Sequence, residues 1–199
     1  MFRNIEPTQA ERNLPLPGDD LVERPAMVVD RAMTLSAPPE IVFPWLRQLG
    51  KRRGIDYDRS GWYCSRRMER FMPRRNRAIR FVDPSIDLPE GQNLEDWVDT
   101  GRLLRPVREW AGMSTKPVPK FYVELVREDD VIVLSGERGR STWSWTLQLS
   151  SDSNGDTRLH TRMRISFLPH WLSKGFADWA DKLLMNSFRI GLQERLASR

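Results

Sequence analysis

Four short runs in the second half of the sequence limit the possible folds more than any other feature. Phe121–Arg127, Val131–Ser135, Ser141–Ser150 and Thr157–Phe167 are rich in β-branched and aromatic residues. Glu-Asp-Asp, Gly-Glu-Arg-Gly and Asp-Ser-Asn-Gly-Asp separate them, and all three have the composition of hairpin turns. Links this short cannot hold a crossover, so successive strands must pair antiparallel as a meander. Trp143, Trp145, Leu147 and Leu149 alternate with Thr142, Ser144, Thr146 and Gln148. Leu159, Thr161, Met163, Ile165 and Phe167 alternate with Arg158, His160, Arg162, Arg164 and Ser166. A period of two gives one dry face and one wet face. Arg158, His160 and Arg162 are thereby expected in solvent, unless a bulge turns Arg162 inward to pair with a ligand carboxylate or a buried acid, and His160 is not taken as a general base.

The dry face needs a cover, and the end of the sequence supplies one. Residues 172–196 read as one helix, roughly 37 Å long at the standard rise. Phe176, Ala180, Leu183, Leu184, Ser187, Phe188 and Gly191 fall on one side, with Asp178, Lys182, Arg189 and Gln193 on the other. Burial is therefore expected for Phe176, Leu183 and Leu184. The line Ala180–Leu184–Ser187–Gly191 becomes small toward its end. That leaves unfilled volume against the sheet, or alternatively lets a neighbouring backbone pack closely.

Before the meander, residues 1–24 are polar and carry Pro7, Pro15 and Pro17, which reads as an extended arm. Residues 25–199 are read as a single domain. Ala26–Leu35 predicts a first strand. Ser36 before Ala37-Pro38-Pro39-Glu40 predicts a helix start, with Ile41, Val42, Trp45, Leu46 and Leu49 at helical spacing and Gly50 as the stop. Gly61–Met72 reads as a second helix ended by Pro73. Residues 83–119 are loop-rich, with one short strand expected near Arg102–Pro106. The sum is an α+β fold. Its curved antiparallel sheet has six or seven strands around a long C-terminal helix, with two short helices after the first strand.

Composition narrows the chemistry. The chain has 199 residues, one cysteine and two histidines, so an intramolecular disulfide and any multi-His or Cys-rich metal site are excluded. Neither metal nor cofactor is expected, and the lone Cys64 fits a reducing cytoplasm. No apolar run approaches the roughly 20 residues that span a bilayer. The net charge is +5, yet Arg47 to Arg80 alone hold 12 Arg and Lys against 3 acids. Within that stretch Arg66, Arg67, Arg70, Arg74 and Arg75 form a candidate patch for an anionic partner, or else a solvated charged face. No groove-reading element accompanies them, so weak contact with an anionic membrane surface is expected rather than sequence-specific nucleic-acid binding.

Several stretches also resemble a known family. Pro17-Gly18-Asp19-Asp20-Leu21-Val22, Arg31-Ala32-Met33-Thr34-Leu35 and Ala37-Pro38-Pro39-Glu40-Ile41-Val42-Phe43-Pro44-Trp45-Leu46-Arg47-Gln48-Leu49-Gly50 are similar to the START-like (SRPBCC) helix-grip superfamily. Among its members, the bacterial proteins related to polyketide cyclases and dehydratases are the nearest in pattern. Gly61-Trp62-Tyr63 resembles that group's aromatic motif, and Ser144-Trp145, Thr157-Arg158-Leu159 and Arg162 resemble its last two strands. Lys51–Ser60 departs from the pattern as a charged insertion. The resemblance implies the helix-grip fold and an internal site for a small hydrophobic molecule such as a lipid, a polyketide or an isoprenoid.

Candidate ligand-binding residues are Trp62, Tyr63, Trp143, Trp145, Met163, Leu184, Ser187, Phe188 and Gly191, each of which could equally be ordinary core. No catalytic residue is assigned. Cys64 has Arg66 and Arg67 beside it but no identifiable base, and Asp56 and Asp58 read as turn formers. Three functions remain: a ligand-binding or carrier module, a cyclase- or dehydratase-type enzyme, and an interaction protein using the Arg-rich surface. A buried, hydrogen-bonded acid or His inside the pocket would favour the enzyme, a purely apolar pocket the carrier, and a filled core the interaction protein.

Overall fold

The meander closes on the first strand. β1 (Met27–Leu35) pairs antiparallel with β6 (Thr157–Ile165) over its full length, from Met27 opposite Ile165 to Leu35 opposite Thr157. β3 (Phe121–Arg127), β4 (Val131–Arg138) and β5 (Ser141–Ser151) complete the meander, with a bulge between Val123 and Leu125. The two-residue β2 (Asn93–Leu94) adds to the far edge beside β3. The order is β1-β6-β5-β4-β3-β2, antiparallel throughout, as the short links require. A computed structural model describes residues 3–49, 63–71, 80–84, 86–91, 93–94, 121–138, 140–167 and 174–198. The expected strand near Arg102–Pro106, the insertion Lys51–Ser60, Trp62, Arg74 and Arg75 lie outside them.

Among the described residues three short α-helices flank β1, and a long fourth lies at residues 174–196. α1 is Gln9–Asn13, held by a capping box in which Thr8 and Glu11 satisfy each other's backbone. α2 is Pro39–Arg47, capped at Pro38 rather than at Ser36, whose N–H instead donates to Gln193. Pro44 lies inside it without ending it. α3 is only Arg66–Glu69. It begins five residues later than the sequence pattern predicts, because Ser65 is the residue whose hydroxyl caps Met68 N–H. α4 (Lys174–Leu196) is the expected long helix.

Inner-face residues Leu134, Trp145, Leu147, Leu149 and Leu159 form one core with Val42, Phe43, Trp45 and Leu46 of α2 and with Met185, Phe188, Leu192 and Leu196 of α4. That gives the helix-grip arrangement, one long helix held against one face of an antiparallel sheet. The opposite face is not wet. Residues 3–22 are no extended arm: two 3-10 turns (Arg3–Ile5 and Asp20–Val22) and α1 fold back onto the molecule. Thr146 donates to the carbonyl of Pro17 at 2.6 Å, and Gly18, at φ +83°, lies against Val133 and Thr146.

The covered face corrects the expectation that His160 and Arg162 are solvated. Both are buried with Asp30. Arg162 Nε donates to Asp30 at 2.8 Å, and its terminal nitrogens donate to Asp19 and to the carbonyls of Glu11, Arg12 and Leu14. His160 Nε2 lies 2.8 Å from the same Asp30 oxygen. Burial alone would push the Asp30 carboxyl up, but the bonds from His160 and Arg162 outweigh it and hold the group below its usual range. Alternation placed these side chains on the right face. A charged row does not announce its cover: guanidinium groups with enough acceptors can be buried as a hydrogen-bonded layer.

Candidate ligand-binding site

The two halves of α4 meet the sheet differently. In the C-terminal half Met185, Phe188, Leu192 and Leu196 are buried. Phe188 packs on Tyr63 at 5.9 Å between ring centroids, and Tyr63 meets Trp45 edge-on at 5.8 Å. The Tyr63 hydroxyl donates to the Trp45 carbonyl at 2.6 Å, and burial pushes its pKa upward. Arg195 lies 5.0 Å over the Tyr63 ring and pairs with buried Glu69 of α3. Gly191 faces the backbone of Cys64 so closely that a Cβ would stand 2.4 Å from the Cys64 carbonyl oxygen. The Ser187 hydroxyl lies 3.1 Å from the Met68 sulfur.

These contacts decide the alternatives at the small end of the helix. Among the described residues Gly191 and Ser187 pack closely against Cys64 and Met68. Tyr63, Trp145 and Phe188 are fully enclosed core. The Cys64 thiol, pushed up to about 11 chiefly by burial and secondarily by Glu69, is no nucleophile.

The N-terminal half is uncovered. Phe176 is 57% exposed, Leu183 43% and Leu184 44%, where the sequence pattern predicts burial. Trp179 is exposed as well and stacks on Phe176. The correction is one of helical phase. Gly191 must face Cys64 and Arg195 must face Glu69, so the inward line runs 185, 188, 192 and 195–196. Leu183 and Leu184 then fall outside that line. A row chosen by apolar identity alone does not contain this information, because α4 carries apolar residues on more than one side.

On the inner face of the sheet Trp143 and Met163 stand opposite Gly136 and Trp145 respectively. Both are half-buried, and the Trp143 indole lies flat against Gly136, 2.5 Å from where a Cβ would stand. On β1, the inward positions Met27, Val29, Met33 and Leu35 are interrupted by a charge, Arg31, which is only 3% exposed. Arg31 donates to the Asp178 carboxylate at 2.6 Å and to the Asp178 carbonyl at 3.1 Å. Its Nε lies 2.8 Å from Oδ2 of Asp181 without hydrogen-bond alignment, so both atoms are buried with no hydrogen bond. Lys182 bridges Asp178 and Glu6 at 3.0 and 3.3 Å.

The two acids differ. For Asp178, burial is opposed and outweighed by hydrogen bonds from Arg31 and Lys182, and the carboxyl stays below its usual range. For Asp181 burial wins over the Arg31 charge, and its pKa is raised to about 6. An acid that titrates near neutrality beside a buried guanidinium can exchange a proton with a bound molecule. Sequence analysis missed Arg31, Asp178 and Asp181. The signal was present: Arg31 breaks an otherwise apolar inward register.

Strand order, register and the single gripped helix make the architecture. It is a helix-grip fold. Solved structures similar to the chain include a Rhodobacter sphaeroides protein (15% identity, 88% of this chain and 95% of that one, TM-score 0.49). Others are protein MLL2253 of Mesorhizobium loti (13%, 86% and 98%, TM-score 0.48) and CalU16 of Micromonospora echinospora (14%, 86% and 84%, TM-score 0.41). No family model and no curated protein matches the sequence. Among the described residues no helix is long and apolar enough to cross a membrane.

Proposed function

We propose that this protein binds a small hydrophobic molecule, such as a lipid, a polyketide or an isoprenoid, against the uncovered half of α4, beside the inner face of the sheet. The supporting observation is the asymmetry of the helix. Phe176, Trp179, Leu183 and Leu184 remain exposed on that half, and Trp143 and Met163 on the inner face of the sheet are half-buried. Leaving four large apolar side chains in water forgoes roughly 1.5–3 kcal/mol each, which a bound apolar molecule would recover in part. Arg31 and Asp181 supply the few polar groups that orient such a ligand. Native mass spectrometry of the purified protein tests for a co-purifying molecule. Titration with anilinonaphthalene sulfonate gives the second arm: Trp143→Ala and Leu184→Ala should each weaken binding about tenfold at unchanged fold. Unchanged affinity in both variants, with no co-purifying ligand, overturns the reading.

A cyclase- or dehydratase-type activity is the second reading, and Asp181 favours it. In that case Asp181 moves a proton at the ligand while Arg31 fixes the acid's position. Asp181→Asn would then abolish turnover of a polyketide-like chain and leave probe affinity intact.

A further inference from the structure

Opposite the tightly packed face of α3 lies a surface that the ligand site does not use. A four-residue helix is too short to persist alone, and this one is fixed from below. Glu69 is buried and pairs with Arg195 and, at 3.0 Å, with Arg80. Arg66 N–H donates to Glu194 at 2.8 Å, and Ser187 reaches Met68. The outward residues are Arg66, Arg67, Met68 and Arg70, followed by Phe71, which is 88% exposed. Arg80, tied to the same helix through Glu69, precedes Phe81, which is exposed as well. Among the described residues no acid pairs with the guanidinium groups of Arg66, Arg67 or Arg70. An exposed aromatic ring thus projects from a fixed platform amid cations that no acid among the described residues neutralises.

We infer that this platform docks the protein on an anionic lipid surface, with Phe71 entering the headgroup layer and Arg66, Arg67 and Arg70 meeting lipid phosphates. The chemistry selects the partner. Nucleic acid would use the guanidinium groups but give Phe71 and Met68 no groove to read. A stable protein partner needs roughly 800 Å² of complementary surface on each side, whereas three projecting apolar side chains form only a tip. A membrane asks for a small apolar wedge and a cluster of cations, both of which the platform has. Docking here sets the inner face of the sheet near a source of apolar molecules without requiring that site to be occupied.

Cosedimentation of the full chain with vesicles tests the inference. Binding is expected to equimolar phosphatidylcholine and phosphatidylglycerol, and not to phosphatidylcholine alone. Phe71→Ser should lower the partition coefficient about tenfold, and Arg67→Gln with Arg70→Gln together should lower it roughly tenfold or more. Thermal melting should be unchanged in both, since all three side chains are in solvent. Equal binding to neutral vesicles, no binding to either, or a Phe71→Ser variant indistinguishable from wild type overturns the proposal. Competition by soluble polyglutamate that is indifferent to Phe71 would also overturn it, in favour of an acidic protein partner.

Discussion

One helix serves two purposes in this molecule, and its halves are built to different standards. The last dozen residues of α4 are joined to the body by aromatic stacking, a buried ion pair and a glycine set directly on another backbone. Among the described residues the first dozen are tied by Arg31 with Asp178 and Asp181 and by Lys182 with Glu6, while Phe176, Trp179, Leu183 and Leu184 stay exposed. Stability is thus concentrated where no ligand is needed, and exposed apolar area where one would fit. The difference teaches that helix length and apolar content do not report how a helix is held. Its glycines and charges do.

The sharpest way to break the comparison is to remove something from the packed half. Phe188→Ala should cost about 3–5 kcal/mol in denaturant unfolding, and Glu69→Gln about as much by leaving Arg195 buried without its counter-charge. A loss under 1 kcal/mol in both would show that the packed half is not where stability resides.

Next in size is a pH effect in the other half. The Asp181 pKa is raised from 3.8 to about 6, so the folded state binds a proton that the unfolded state releases. The associated stability is therefore fully present below pH 4 and lost as pH rises through 6, on the order of 2–3 kcal/mol in all. Wild type should lose stability relative to Asp181→Asn across that window. A pH-independent difference between the two would contradict the assignment. Asp178, whose pKa is lowered, acts in the opposite sense and fades only at more acidic pH.

Gly191→Ala should cost about 1–3 kcal/mol, because the new methyl meets Cys64 backbone rather than a side chain that can turn away. Smallest of all, Leu183→Ala and Leu184→Ala should stay within about 0.5 kcal/mol of wild type. If these two cost more than Gly191→Ala, the two halves have been assigned the wrong way round.

Strand pairing was legible because turn chemistry and a period of two leave little freedom: four runs with short links can hardly do otherwise. The long helix was legible from its length and spacing. Its rotation was not, since Leu183 and Leu184 are as apolar as Met185 and Leu192, and only the contact of Gly191 with Cys64 separates the rows. Tyr63, Trp145 and Phe188 were singled out for their size, and size is what a core selects too. Arg31 could have been found by asking which inward position carries a charge. The row Arg158, His160, Arg162 and Arg164 could not be assigned to the interior without knowing that residues 11–19 return to it, and nothing local in β6 encodes that.

That return has a consequence in time. Arg162 donates to the carbonyl of Leu14, 148 residues earlier in the chain. The carbonyls of Glu11, Arg12 and Leu14 are synthesised well before the guanidinium that donates to them. Until β6 exists and has paired with β1, the opening residues have no place to dock. Contacts of such long range are the kind that slow folding. Until those opening residues dock, Asp30, His160 and Arg162 lack the acceptors and the cover that residues 11–19 give them in the folded protein.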